Sequence, residues 1–171
     1  MPVLSGRVAW IFPQENFDVD QIVGVKNIKI SDLDELSALA MQSFDPDFSK
    51  QVKPGDCLVG GPNFGYGHPH YPPMMAMRKL GIACVIAESF APGFFRGETS
   101  MGFPLLTCPG IVNAVARWDE LSIDWSSHTL LNKNTMQRLP MAPMENADRA
   151  LIEHGGLIEF LKNDSHQSEI N

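Results

Sequence analysis

Apolar residues occur along this chain in short runs that are separated by segments rich in glycine and proline. Five runs predict strands, over residues 3–12, 57–59, 82–87, 105–108 and 111–116. We expect the first strand to be interrupted at Gly6. Residues 82–87 are almost continuously apolar, which is typical of a strand that is covered on both faces.

Helical spacing of apolar residues alternates with these strands. A helix is predicted from Ser31, which is suited to cap it, to about Met41. Its apolar residues recur at helical spacing, and we interpret them as core packing: Leu33, Leu36, Leu39 and Ala40. In a later helix Pro72 and Pro73 suit the first turn, and Gly81 suits the end.

The last third of the chain contains weaker signals. Residues 118–131 predict an antiparallel excursion with turns, and residues 146–154 predict a helix that ends at Gly155-Gly156. From about residue 163 the tail is polar, and we expect it to fray.

The order of these elements indicates the fold class. Strand, loop, helix and strand follow one another from residue 57 to residue 87, which implies a parallel crossover unit. A length of 171 residues suits one domain with a real core. We therefore expect a single α/β domain over residues 1–171, with helices packed around a mainly parallel central sheet.

Composition and charge narrow the function classes. Hydrophobic residues make up 44% of the chain and charged residues 19%, which is ordinary for a folded protein. The formal net charge of -7, without a long basic run, argues against nucleic acid or an anionic membrane as the main partner. No apolar stretch is long enough to span a bilayer, and residues 1–7 lack the pattern of a secretion signal. A cytoplasmic location is expected.

Three cysteines are far apart, and each lies beside apolar residues: Cys57, Cys84 and Cys108. There is no Cys-x-x-Cys pair, so we do not expect this chain alone to hold a zinc ion or an iron–sulfur cluster. Buried, reduced thiols are the better interpretation.

The segment between the second predicted strand and the following helix contains the most candidate chemistry. Residues 60–71 include four glycines and two prolines. Glycine lets the backbone approach a ligand closely, and the N-terminus of the following helix favours an anion. His68 and His70 can exchange protons near neutral pH. The pattern favours a site for a small acidic metabolite, with further binding candidates at Asn63, Gly65, Tyr66 and Gly67; the alternative is a turn that the histidines only hold together.

Charged residues elsewhere are candidates for the same site. Asp18 and Asp20 lie in a loop, where alternate carboxylates can bind a metal or orient a histidine. More often such aspartates cap a turn, so we assign no metal site and keep Asp20 as a candidate for substrate binding. Arg96 could hold a carboxylate through two parallel hydrogen bonds. The alternative for Arg96 is a surface ion pair with Glu98.

Four blocks of the sequence, taken in order, resemble one known family. The first block is Gly6-Arg7-Val8 with Asn16-Phe17-Asp18-Val19-Asp20-Gln21-Ile22, and the second is Phe44-Asp45-Pro46-Asp47-Phe48 with Val52-Lys53-Pro54-Gly55-Asp56 and Asn63-Phe64-Gly65-Tyr66-Gly67. The third is Leu80-Gly81-Ile82-Ala83-Cys84-Val85-Ile86-Ala87-Glu88-Ser89-Phe90-Ala91, and the fourth is Leu139-Pro140 with Gly155-Gly156-Leu157-Ile158-Glu159-Phe160-Leu161. From about Gly6 to Lys162 the chain is similar to the small subunit of 3-isopropylmalate dehydratase, the swivel domain of the aconitase superfamily.

The resemblance implies a fold, a reaction and a partner. The fold would be an aconitase-like swivel β/β/α domain. The protein would be the small subunit of a hydro-lyase or isomerase that acts on a small hydroxy-di- or tricarboxylate together with a large aconitase-like subunit. In the family the [4Fe-4S] cluster belongs to the large subunit or large domain, so we expect no cofactor on this chain.

The substrate loop departs from the family pattern. After the glycines the family has Ser-Ser-Arg-Glu-His, in which the first serine acts as a base and the arginine grips a substrate carboxylate. This chain has His68-Pro69-His70-Tyr71-Pro72 at those places. His68 stands at the serine place and is our candidate for a base or proton relay, and His70 at the arginine place could hold a carboxylate if protonated.

Because neither catalytic residue carries over by identity, two alternatives stay open. The chain could be a non-catalytic binding or regulatory module that keeps the swivel fold. It could also be a stand-alone enzyme that uses the histidine loop without a cluster.

Overall fold

Seven strands form one sheet in the part of the chain that the computed structural model describes, residues 3–168. The strands are β1 (Leu4–Phe12), β2 (Cys57–Gly60), β3 (Cys84–Ala87), β4 (Leu105–Thr107), β5 (Glu120–Asp124), β6 (Thr129–Asn132) and β7 (Arg138–Pro140). Their order in the sheet is β4-β3-β2-β1-β5-β6-β7. Strands β1 to β4 pair in parallel, whereas β1, β5, β6 and β7 pair antiparallel. The predicted α/β class, with parallel strands in the core, is confirmed.

Helices connect the strands and cover the sheet. They are α1 (Leu33–Leu39), α2 (Phe48–Gln51), α3 (Pro72–Leu80), α4 (Pro92–Ser100), α5 (Ile111–Ala114), α6 (Asn146–His154) and α7 (Leu157–Ser168). Two 3-10 turns, Val19–Ile22 and Val25–Asn27, follow β1. Within residues 3–168, none of the helices has the length and apolar content that a membrane crossing requires.

The central strands β2 and β3 are buried at every position. Cys57 pairs with Cys84 and Leu58 with Val85 across the two strands. Leu58 and Val85 belong to one hydrophobic core, and the two cysteines belong to the other. This division arises because successive side chains of a strand point to opposite faces of the sheet. The predicted pairing of these strands and their coverage on both faces are confirmed.

Proline and glycine mark the helix ends as the sequence predicts. Pro72 and Pro73 stand in the first turn of α3, and Gly81 ends that helix with a φ of 111°. Helix α6 likewise ends at Gly155. The antiparallel excursion predicted over residues 118–131 corresponds to β5 and β6.

Two local predictions near the N-terminus are wrong. Strand β1 runs through Gly6 without interruption, and a Cβ atom at this position would lie 2.0 Å from the carbonyl oxygen of Gly55. Glycine is therefore needed at Gly6 for the close approach of two backbones. Helix α1 is capped by Asp32 and not by Ser31, because Asp32 Oδ1 accepts the backbone N–H groups of Asp34 and Glu35 at 2.9 and 3.1 Å.

Two predictions in the second half also differ from the structure. Residues 111–116 were expected to form a strand, but Ile111–Ala114 form the helical turn α5. The carboxylate of Glu88 accepts the backbone N–H groups of Gly110 and Val112, at 2.6 and 3.1 Å, and so caps this turn from a distant part of the chain. Helix α7 continues to Ser168 where fraying was expected, and residues 169–171 lie outside the described residues.

A desolvated ion pair joins α3 to α4. Arg78 Nη2 donates to Glu98 Oε2 at 2.9 Å, and the Glu98 side chain is 3% exposed. The guanidinium also lies 4.4 Å from the centre of the Phe103 ring. Burial raises the pKa of Glu98 and lowers the pKa of Arg78, because removal from water disfavours both charged forms. Removal of either partner would therefore leave the other as an unpaired charge shielded from water, which destabilises the fold.

We expect Arg78→Met to lower the free energy of unfolding at pH 7 by about 3–5 kcal/mol, because Glu98 is left as a buried carboxylate without its partner. The loss should be smaller at about pH 4.5. The folded-state pKa of Glu98 is already raised, and removal of Arg78 raises it further, so the penalty disappears as the carboxylate takes up a proton. Urea unfolding at both pH values measures the difference.

Lys79→Met is the matched control for this prediction. The Lys79 ammonium is exposed and lies 3.6 Å from Asp34, so its loss should change stability by no more than about 1 kcal/mol. An equal loss of stability at both pH values in Arg78→Met would contradict the assignment of the penalty to Glu98.

Candidate functional site at the carboxyl ends of the parallel strands

Three loops meet beyond the carboxyl ends of β1, β2 and β3, the usual place for a ligand in an α/β sheet. Phe64 lies at their junction. Its N–H donates to the carbonyl of Ser89 at 3.0 Å, and its carbonyl accepts from the N–H of Ala91 at 2.9 Å. The N–H of the next residue, Gly65, donates to the carbonyl of Phe17 at 2.9 Å. The backbone at residues 64–65 thus joins all three loops.

The ring of Phe64 holds this junction to the core. It has no exposed surface. Four other phenylalanine rings surround it with centroid distances of 5.4 to 6.2 Å: Phe12, Phe17, Phe90 and Phe94. Such aromatic packing fixes the base of the glycine loop firmly.

Asn63 holds the loop in place through hydrogen bonds to the two neighbouring loops. Its φ is 55°, in the left-handed region, and its Nδ2 donates to Asn16 Oδ1 at 2.7 Å. Its backbone N–H donates to Ser89 Oγ at 2.8 Å. Asn63 therefore ties the loop after β2 to the loops after β1 and β3.

The two later glycines of the loop meet different constraints. Gly65 is buried with a φ of 87°, and a Cβ atom there would lie 2.2 Å from the ring of Phe94. Gly67 is exposed with a φ of 93°, and its open side faces the carboxylate of Asp18. Both need glycine for their backbone conformation, and Gly65 also needs it for space.

His70 is held by a buried carboxylate. Asp20 Oδ2 lies 2.7 Å from His70 Nδ1, and Asp20 Oδ1 accepts the backbone N–H of His70 at 2.9 Å. The Asp20 side chain is 7% exposed, whereas the His70 side chain is 54% exposed. One carboxylate therefore fixes both the backbone and the ring of a histidine whose side chain is more than half exposed.

Asp18 supports this arrangement from the same loop. Its Oδ1 accepts the N–H of Asp20 at 2.9 Å and caps the 3-10 turn Val19–Ile22. The two alternatives for this aspartate pair are thus both realised: Asp18 caps a turn and Asp20 orients a histidine.

His68 and Tyr66 occupy the exposed tip of the loop. Tyr66 is 53% exposed, and His68 is also exposed. Neither side chain has a hydrogen bond to another described residue of the chain, so the fold does not fix the ring of His68 as it fixes that of His70.

A cleft of about 120 Å³ lies between the end of the loop and α4. Its lining includes His70 and the buried Glu98, together with Pro69, Tyr71, Gly93, Phe94 and Gly97. Arg96 is exposed on α4 but does not line the cleft, and Glu98 pairs with Arg78 instead of Arg96. The expectation of an Arg96–Glu98 surface pair is therefore wrong. Asn63, Gly65 and Gly67 also lie outside the cleft lining.

The cysteines do not suit a metal or cluster site on this chain. All three are free and buried. The neighbouring thiol of Cys84, together with burial, raises the pKa of Cys57 well above its usual range, and burial raises that of Cys108 to about 11. The thiolate is the form that binds a metal, and the raised pKa values of Cys57 and Cys108 disfavour it. Across the described residues, no group of three or more His, Cys, Asp or Glu side chains could hold a metal ion.

Some structural determinants of the site were not identified from the sequence. They are Phe64 at the loop junction, Ser89, and the bond between Asn16 and Asn63. The Arg78–Glu98 pair behind the cleft was also missed. The partners of each bond lie 20 or more residues apart, so no local pattern indicates them.

The chain is similar along nearly its whole length to small subunits of one enzyme class. It is 36% identical over 167 residues to the isopropylmalate/citramalate isomerase small subunit of Methanocaldococcus jannaschii, and the match covers 98% of each chain. It is 34% identical over 160 residues to 3-isopropylmalate dehydratase small subunit 1 of Methanopyrus kandleri, over 94% of this chain and 93% of that one.

A solved structure agrees with these relatives. The crystal structure of 3-isopropylmalate dehydratase (LeuD) from Methanocaldococcus jannaschii matches with a TM-score of 0.85 and 27% identity, over 99% of this chain and all of that one. No protein-family model matches the chain.

We expect Gly65→Ala to lower the free energy of unfolding by about 2–4 kcal/mol, because the left-handed backbone strain adds to a clash with Phe94. Gly93→Ala is the control, since a Cβ atom there has no neighbour within 4 Å. Gly93 lies in α4, where alanine should be neutral or stabilise by up to about 1 kcal/mol. Urea unfolding of both variants tests this, and equal stabilities would refute the role of Gly65.

Proposed function

This chain belongs to the family of 3-isopropylmalate dehydratase small subunits, and we propose that it completes the active site of a hydro-lyase or isomerase together with a large subunit. The similarity over 98% of the chain carries this proposal. We further propose a small hydroxy-di- or tricarboxylate as the substrate and the cytoplasm as the location.

The iron–sulfur chemistry belongs to the partner in this proposal. The large subunit would hold a [4Fe-4S] cluster, which when bound supplies a Lewis acid for the hydroxyl group that leaves. The cysteines of this chain are buried and join no group of three or more ligating side chains among the described residues, so they do not fit that role. The small subunit contributes its loop residues instead.

The loop supplies positioning and proton chemistry. Asn63, Gly65 and Gly67 set the loop backbone. The exposed groups that meet the substrate are Tyr66, His68 and His70, with Asp20 behind the last of them. The two histidines share proton transfer and carboxylate binding between them. Arg96 lies on α4 beside the cleft and assists with a second carboxylate when the large subunit closes the site.

The absence of the family serine and arginine from the loop supports a second candidate. A protein that lost those groups without replacement would keep the swivel fold as a binding or regulatory module. The hydrogen-bonded His70 favours the enzyme, because a retained fold alone does not require a buried carboxylate aimed at a solvent-facing ring.

We expect the purified chain alone to have no dehydratase activity, and activity to appear when the cognate large subunit with its cluster is added. The reason is that a small subunit carries only part of the site. Turnover of a panel of small hydroxy-di- and tricarboxylates, followed through the absorbance of the unsaturated product, measures this. Affinity purification from the native host with iron and sulfide analysis identifies the partner.

The large subunit alone is the control for this reconstitution. Turnover by the metal-free chain alone would contradict the proposal and favour the stand-alone enzyme. A complex that binds hydroxy acids but converts none of them would favour the binding module.

A further inference from the structure

We propose that Asp20 and His70 form a dyad in which His70 Nε2 is the proton-transferring atom of this subunit and Asp20 is its positioning residue. This inference rests on the proposed function, because it names the group that moves the proton in that reaction. It reverses the sequence-based assignment, which gave proton transfer to His68 and carboxylate binding to His70.

The first observation is the geometry of the pair. Asp20 is 7% exposed and places one oxygen on His70 Nδ1 at 2.7 Å and the other on the His70 backbone N–H at 2.9 Å. The backbone of Asp20 is itself fixed, because its N–H donates to Asp18 Oδ1 at 2.9 Å. The ring therefore has one orientation, and proton transfer depends strongly on such prior positioning.

The second observation is the direction of the hydrogen bond. An ionised carboxylate only accepts, so His70 Nδ1 must carry a proton. In the neutral ring Nε2 then holds the lone pair. The His70 side chain is 54% exposed although its Nδ1 is bonded to a buried carboxylate, so we assign the exposure to the rest of the ring, which includes Nε2. Nε2 has no hydrogen-bond partner among the described residues. A base with a free acceptor atom thus belongs to a residue that lines the cleft.

His68 lacks both properties. It is exposed at the loop tip and has no hydrogen-bond partner in the described part of the chain. Its ring must be ordered at the moment of reaction, which costs rotational freedom that His70 has already given up. His68 remains available as a group that contacts the substrate.

The reaction step balances with His70 alone on this subunit. Nε2 takes the proton from the carbon beside the hydroxyl-bearing carbon, and the electron pair of that C–H bond forms the double bond. The C–O bond breaks and hydroxide leaves, so the proton on Nε2 and the hydroxide together make up the water that is lost. Addition of water to the double bond uses the same bonds in reverse.

Other charged groups near the ring do not replace Asp20. Glu98 lines the same cleft but is buried and bound to Arg78 at 2.9 Å. Asp18 faces Gly67 with one oxygen and accepts the backbone N–H of Asp20 with the other, and it has no hydrogen bond to His70. Tyr71, half-exposed next to His70, lines the cleft as well.

Substitutions in the reconstituted complex test the dyad. His70→Asn keeps a donor for Asp20 but has no base, so kcat should fall by about 10²–10⁴-fold with little change in KM. Asp20→Asn should also lower kcat. The amide oxygen of the introduced Asn accepts the His70 backbone N–H, so its NH₂ group faces His70 Nδ1. Because an NH₂ group donates, Nδ1 must accept, and the proton of the neutral ring moves to Nε2. His68→Ala should lower kcat far less than His70→Asn.

The control for these kinetics is His154→Ala on α6. Its ring Nδ1 lies 2.7 Å from the carbonyl of Ala150 and the residue does not line the cleft, so kcat should stay at the wild-type value. Thermal melts of each variant separate lost activity from lost folding. His70→Asn should melt close to wild type, because Asp20 keeps both of its hydrogen-bond donors.

The ring tautomer gives a second readout that needs no partner and no activity. Long-range ¹H–¹⁵N spectra of the ¹⁵N-labelled full chain assign the proton in the neutral ring of His70. We expect it on Nδ1 in the wild type and on Nε2 in Asp20→Asn. A wild-type ring with its proton on Nε2 would overturn the dyad.

Two kinetic results would also overturn the inference. One is a wild-type kcat in His70→Asn with a raised KM, which would return His70 to carboxylate binding. The other is a loss of kcat in His68→Ala as large as in His70→Asn. An inactive wild-type complex would contradict the proposed function itself and remove the catalytic role of the dyad with it, whatever the tautomer.

Discussion

The burial of Phe64 is the constraint on which the site depends. Its ring has no exposed surface and lies among four other phenylalanines, while the backbone at residues 64–65 bonds to the loops after β1 and β3. Removing such a ring costs about 3–5 kcal/mol, so the junction cannot shift independently of the core. The base of the loop is therefore placed by a core residue, and of the exposed histidines only His70 is fixed further, by Asp20.

This division explains why the loop tip can change its chemistry while the fold is kept. A Cβ atom at Gly61 would lie 2.6 Å from backbone oxygens of the preceding loop, and one at Gly65 would meet Phe94. Glycine is required at those two positions because no room is left for a side chain. His68 and His70 are exposed, so core packing does not decide which side chains stand there, although Asp20 holds the ring of His70. Histidines at places where the related family has serine and arginine are thus compatible with an unchanged scaffold.

The parts that the sequence predicted are those with a local cause. The apolar run at residues 82–87 and the proline and glycine bounds of α3 depend on neighbours in the chain, so the crossover unit could be predicted. The cap of α5 depends on Glu88, and the orientation of His70 depends on Asp20, 50 residues away. The sequence offered Asp20 as a residue that could orient a histidine, but only the fold selects His70 over His68.

The dyad also changes what the loop can do with charge. Arginine carries a fixed positive charge. A histidine–carboxylate pair, in contrast, has no net charge when both ring nitrogens are protonated and a charge of about -1 when the ring is neutral. The lining of the cleft contains neither lysine nor arginine among the described residues, and Arg78 behind it is neutralised by Glu98. In the proposed function, the countercharge for a substrate carboxylate therefore comes from His68, from Arg96 on the adjoining surface, or from the large subunit. Under the proposed function, replacing the arginine by this histidine favours proton transfer over carboxylate binding on this chain. Affinity for the substrate would then be a property of the closed complex.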